Sequence, residues 1–172
     1  MWKESIEIIW LLLPAAFANM APVIFKRVNF LNKHINKTLF GSHKTYRGLF
    51  FGIFLGILVA VLQSLASVFV KDYSLLNYAF NTKLIFFGAV IGFSALLGDL
   101  TKSFFKRKAN IPPGDSWIPF DQIDWVVFSL FATSFFVKLN IYHLIFGLII
   151  FPLLTLAVNI ISFSLGIRDT KV

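Results

Sequence analysis

Three carboxylates stand where apolar stretches of this chain meet polar ones: Asp99, Asp121 and Asp124. Asp99 closes the stretch Ser94-Ala95-Leu96-Leu97-Gly98-Asp99, and the other two open a later apolar run as Asp121-Gln122-Ile123-Asp124. Between them lie a basic cluster, Ser103-Phe104-Phe105-Lys106-Arg107, and a turn, Pro112-Pro113-Gly114. A carboxylate at the edge of an apolar run is costly and needs a partner, so these three point first to function. Oxygen donors suit one or two hard divalent ions such as Mg²⁺, which could in turn carry the phosphates of a nucleotide. Asp121 and Asp124 are three apart, so a helix sets both on one face of its first turn. Capping and the helix dipole offer a structural account there, and it explains one Asp better than two.

Basic side chains suited to phosphate come earlier in the chain. The segment 26–47 holds Lys26, Arg27, Lys33, Lys37, Lys44 and Arg47, with His34 and His43. Its sharpest piece is Gly41-Ser42-His43-Lys44-Thr45-Tyr46-Arg47-Gly48. Lys grips phosphate as a point charge and Arg as a fork, while glycine lets an anion approach the backbone. The G-x-x-x-x-G-K spacing of a Walker A loop is absent. The competing account is a positive-inside loop lying against anionic headgroups.

The elements that must position these groups are apolar helices. Of 172 residues 58% are apolar, 22 are Phe, and the mean hydropathy is +0.79, too apolar for a soluble domain of this size. Runs long enough to cross a bilayer, about 20 residues, recur along the chain. We read an all-α polytopic membrane protein, a single domain over 1–172, with about five transmembrane helices. The spans fall near Ser5–Phe25, Gly48–Val70, Leu84–Phe105, Asp121–Leu139 and Ile141–Leu165. The first is no secretory signal, since it lacks a basic start and a cleavage site and carries Pro14, Asn19 and Pro22. Its prolines free carbonyls, and Asn19 is expected to face protein. Gly48, Gly52 and Gly56, and again Gly88 and Gly92, mark faces for close helix packing. The segment 71–83, with Tyr73 and Tyr78, reads as interfacial, and His143 as a headgroup contact rather than a ligand.

No cysteine is present, which excludes disulfides, thiolate metal sites and Cys nucleophiles. The net charge of +8 is unevenly placed. With five spans, one side holds 12 of the 16 Lys and Arg, and the other holds Lys3, Lys71, Lys83 and Lys138. The positive-inside rule then sets the N-terminus outside and the C-terminus in the cytosol. Both basic loops and all three aspartates fall on the cytosolic face. That arrangement describes an enzyme of the cell membrane joining a nucleotide to a phosphorylated lipid.

These motifs, taken in order, resemble the signature of CTP:phosphatidate cytidylyltransferases. Ser94-x-x-x-Gly98-Asp99, Ser103-x-x-Lys106-Arg107, Pro113-Gly114 and Asp121-x-x-Asp124 carry the resemblance. Several features look more like the CDP-archaeol synthase branch: Leu13-Pro14-Ala15, Ala18-Asn19-Met20-Ala21-Pro22, Lys44-Thr45-Tyr46-Arg47-Gly48, Asp121-Gln122-x-Asp124 and the ending from Asn159 to Leu165-Gly166. So does the small size. The turn also departs from the phosphatidate pattern, with Lys108-Ala109-Asn110 for Lys-Asp and Pro113-Gly114-Asp115-Ser116-Trp117 for Pro-Gly-His-Gly-Gly.

The resemblance implies a Mg²⁺-dependent transfer in phospholipid biosynthesis. CTP and a phosphorylated di-ether glycerolipid would give a CDP-lipid such as CDP-archaeol, plus pyrophosphate. It implies that Asp99, Asp121 and Asp124 position Mg²⁺, and that Lys106 and Arg107 bind the lipid phosphate or pyrophosphate. It assigns Asn19, Lys44, Thr45, Arg47, Gly48, Ser94, Gly98 and Ser103 to the CTP site. The partners implied are CTP, the lipid substrate and membrane lipids, with no nucleic acid; a homodimer is compatible with the small buried area of five spans. The alternatives are a phosphatidate enzyme making CDP-diacylglycerol, a non-catalytic protein whose aspartates merely pair with Lys and Arg, and a cation or proton transporter built on Asp99. The transporter reading expects carboxylates near the midplane, not grouped near one face.

Overall fold

A computed structural model describes residues 2–70, 82–113, 115–164 and 166. Tyr73 and Tyr78 of the expected interfacial segment, Gly114 and Leu165 of the motifs, and the C-terminal charges at 167–172 lie outside the described residues. Six helices follow in order: α1 (Trp2–Ile24), α2 (Lys37–Phe40), α3 (Tyr46–Val70), α4 (Thr82–Lys108), α5 (Phe120–Thr133) and α6 (Ile141–Ser164). Four of them, α1, α3, α4 and α6, are long and apolar enough to cross a membrane. Among the described residues the only β pairing is an isolated bridge between His34 and Thr45.

The expected fourth span is shorter than the sequence suggests. Helix α5 has 14 residues, and the chain turns through 134–140 before α6. At about 1.5 Å per residue it reaches roughly 21 Å, against a hydrocarbon core of about 30 Å. It lies within the bundle, where Trp125, Val126 and Leu130 join Ile8, Leu11 and Leu12 of α1 and Phe87, Ile91 and Ala95 of α4 in one core. Large apolar side chains such as Leu62, Phe86, Phe131 and Leu153 point outward, as a lipid-facing surface requires.

Helix α1 stays helical through both prolines, and the structure accounts for the carbonyl that Pro14 frees. Pro14 has no N–H for Trp10 O, four residues back. The buried Gln63 of α3 supplies the missing donor, with Nε2 2.5 Å from Trp10 O. The glycine faces cross as expected: a Cβ on Gly56 would stand 2.5 Å from Gly88 O and 2.9 Å from Gly92 Cα. Helices α3 and α4 therefore meet backbone to backbone.

His143 corrects an expectation. It is buried at the start of α6, not at a headgroup, with Nε2 3.0 Å from Glu7 Oε2 of α1. The Asn140 N–H donates to His143 Nδ1 at 3.1 Å, so Nε2 bears the proton that faces Glu7. This pair joins the first and last helices at the end of the bundle away from Asp99.

Candidate functional site

At the other end of the bundle, α4, α5 and the segment between α1 and α3 converge. That segment is shaped locally. Asn36 caps α2, its Oδ1 accepting from Leu39 N–H at 3.0 Å, and Gly41 follows at φ +83°, a conformation that favours glycine. Thr45 Oγ1 accepts from Gly48 N–H at 3.2 Å and so caps the start of α3. Backbone bonds from Ile35 N–H to Lys44 O and from Tyr46 N–H to Lys33 O hold the segment against itself, at 3.0 Å each. Lys44 is thereby aimed at α4, where its Nζ pairs with Asp99 Oδ2.

Gly98 brings α4 against α5. A Cβ there would lie 2.6 Å from Asp124 O and 3.1 Å from Trp125 Cα, so only glycine allows this approach. The approach sets Asp99 beside Asp124 although 25 positions separate them in the chain. All three aspartates then close on one group, the ammonium of Lys102. Lys102 Nζ lies 3.1 Å from Asp99 Oδ1, 3.1 Å from Asp121 Oδ1 and 2.9 Å from Asp124 Oδ2. Lys106, one turn on, stands 3.2 Å from Asp121 Oδ2 and also donates to Asp115 O. Asp121 in addition accepts from the Trp117 N–H, just ahead of α5, so it organises the turn and shares the cluster. Lys106 and Asp121, 15 residues apart in the chain, are thus brought together.

The cluster sets three carboxylates against the ammoniums of Lys44, Lys102 and Lys106 and is shielded from water. The Asp124 side chain is 6% exposed and that of Lys102 14%. Compensation is uneven. Asp99 and Asp121 each have two cationic partners, whereas Asp124 has Lys102 alone, and its Oδ1 is buried without a hydrogen bond. Among the described residues no three His, Cys, Asp or Glu side chains are grouped as metal ligands. The aspartates surround an ammonium instead, so the donor set already encloses a cation. Its all-oxygen chemistry and the unmet Asp124 Oδ1 fit a hard divalent ion.

The other expected site residues divide into two groups. Lys44, Thr45, Gly48 and Asp99 line a small pocket open to solvent, together with Pro22 and His43. Arg107 lies beside the loop, its Cζ within 3.9 Å of a Cβ built on Gly41, and its Nε is buried without a partner. The remainder serve the scaffold here. Arg47 is buried and donates from Nη1 to Val28 O at 2.8 Å, away from the aspartates. Ser94 Oγ donates to Ile91 O and Ser103 Oγ to Asp99 O, both at 2.8 Å within α4. Asn19 is half-buried on α1 and does not line the pocket.

The central position of Lys102 is not among the roles expected from the sequence, although its place three residues after Asp99 and four before Lys106 sets it on one helical face with them.

Comparison with known proteins agrees over the full length. The family model described as CarS-like, CDP-archaeol synthase, matches residues 1–172. The CDP-archaeol synthase of Methanococcus maripaludis is 36% identical over 165 residues, covering 93% of this chain and 92% of its own. The CDP-archaeol synthase of Thermococcus kodakarensis is 33% identical over 171 residues, covering 96% and 95%. That of Pyrococcus furiosus is 29% identical over 164 residues, covering 93% of both. No solved structure matches.

Proposed function

Since the chain belongs to the CDP-archaeol synthase family, we propose that it transfers the cytidylyl group of CTP to the phosphate of a di-ether glycerolipid. An oxygen of the lipid phosphate attacks the α-phosphorus of CTP. The bond from that phosphorus to the bridging oxygen breaks, pyrophosphate leaves, and the CDP-lipid stays in the membrane. No covalent enzyme intermediate is needed, so the work is positioning and charge stabilisation.

The observation that carries this reading is the convergence of Asp99, Asp121 and Asp124 within 3.1 Å of one cationic point, beside Lys44 and the basic loop. These aspartates would hold Mg²⁺, which when bound neutralises triphosphate charge and polarises the phosphoryl oxygens. Lys44, at the pocket that Thr45 and Gly48 also line, takes the CTP phosphates. Lys106 and Arg107, on the last turn of α4, take the lipid phosphate or the departing pyrophosphate. The outward apolar faces of the long helices accommodate the lipid chains. With ten of the 16 Lys and Arg in the segments 26–47 and 102–108, which share one side, the site faces the cytosol, where CTP is found.

The test is purified protein with labelled CTP, Mg²⁺ and either the di-ether phosphate or phosphatidic acid. Pyrophosphate release that depends on lipid, and disappears in Asp99→Asn and Asp124→Asn, is the expected result. Undiminished release in those variants would remove the aspartates from the mechanism. Faster turnover of the diacyl lipid would reassign the substrate.

A further inference from the structure

Lys102 has no part in the transfer just described, yet its Nζ is the point on which all three aspartates close, at 2.9 to 3.1 Å. It occupies the place that a bound cation would take. Resting on the reading that these aspartates hold the metal, we infer that Lys102 is a built-in competitor of that metal and ties metal entry to the arrival of a triphosphate.

Charge is the first argument. Three carboxylates face three ammoniums, those of Lys44, Lys102 and Lys106, and the cluster is balanced as it stands. A divalent ion entering alone would leave two uncompensated positive charges in a site largely shielded from water, where Coulomb repulsion is strong. The same ion arriving with a triphosphate brings several negative charges with it. Geometry is the second argument. Lys102 sits on a flexible four-carbon stem, so its ammonium can leave the carboxylates when a phosphate oxygen offers another acceptor. Asp99 and Asp121 each have a second cationic partner, Lys44 and Lys106, whose three donors can meet carboxylate and phosphate together, and Asp124, whose Oδ1 has no hydrogen bond, is released for a new ligand. Lys102 thus holds three half-buried like charges together while no nucleotide is present, and it makes metal and nucleotide affinities mutually reinforcing.

Mn²⁺ binding to the detergent-solubilised full chain, followed by electron paramagnetic resonance without nucleotide, tests this. Wild type should bind weakly, and Lys102→Gln at least about tenfold more tightly. Lys102→Met, of similar length and uncharged, should show the same tightening should the glutamine variant fail to fold, and Lys102→Arg should show none. Adding Asp124→Asn to Lys102→Gln should abolish the gain. Wild type binding Mn²⁺ as tightly as the uncharged variants would overturn the role of Lys102 and leave the metal site standing. Absence of Mn²⁺ binding in every protein, with or without CTP, would overturn it together with the metal reading of the aspartates. A gain that survives Asp124→Asn would place the ion elsewhere and overturn it too.

Discussion

Asp124 is the least compensated of the three carboxylates, with one lysine, 6% exposure and a buried oxygen lacking a hydrogen bond. A native chain tolerates such a group where function needs it. Asp124→Asn should therefore lower kcat/KM by at least about 100-fold, the scale of removing a metal ligand. The thermal midpoint in detergent should move little, because the amide leaves Lys102 its other two partners. Ser103→Ala should lose less than about tenfold, since its hydroxyl is spent on Asp99 O and the helix survives without that bond. A loss from Ser103→Ala as large as that from Asp124→Asn would show that Ser103 turns to the substrate. The aspartates were legible in the sequence because charge at the rim of an apolar run is conspicuous. Arg47 was not: its type suits phosphate, but its fork is aimed at Val28 O, a contact that depends on how the loop folds back. Nor was the pairing of Glu7 with His143, 136 positions apart.

Among the elements, α4 and α5 carry the site between them, and Gly98 decides how near they come. A Cβ at Gly98 meets backbone, Asp124 O at 2.6 Å, and backbone cannot rotate aside as a side chain can. Gly98→Ala should move Asp124 away from Asp99 and reduce kcat/KM more than about tenfold, with a stability loss of roughly 1–3 kcal/mol from overpacking. Unaltered activity in this variant would mean that the carboxylates need not be neighbours. Gln63→Leu tests the opposite case. Pro14 offers Trp10 O no N–H, and Gln63→Leu would remove the hydrogen bond that Gln63 provides, at a cost of about 1–3 kcal/mol. The variant should unfold at lower temperature while KM for CTP stays unchanged. Sequence patterning revealed four of these helices through length and apolarity, and the glycine faces revealed how α3 meets α4. The length of α5 was hidden because 134–140 remains apolar enough, through Phe135, Phe136, Val137 and Leu139, to extend the run past the end of the helix.

For the molecule as a whole, the proposed chemistry requires both basic loops on one side of the membrane and the turn at 134–140 away from them. The structure puts Lys44, from the first loop, in contact with Asp99 on α4, whose far end leads into the second loop. These two loops must share a face whichever way the bundle is inserted. The proposed cytosolic face rests on charge, because Lys and Arg near the ends of spans are in excess on that side. The chain has no cysteine, so single cysteines can be introduced into the natural background. Ser42→Cys and Asp115→Cys, both at exposed positions, should react with a membrane-impermeant maleimide only in inverted vesicles. Lys138→Cys, also exposed, should react in intact cells when α5 and the turn together carry the chain across. A Lys138→Cys label on the same side as Ser42→Cys would make α5 a re-entrant element and return α6 through the bilayer in the opposite sense. The aspartate cluster would survive that result, since α4 and α5 hold it. Labelling of Ser42→Cys and Asp115→Cys from opposite sides would not be survivable: Lys44 could not then reach Asp99, and the nucleotide would have no single pocket to enter.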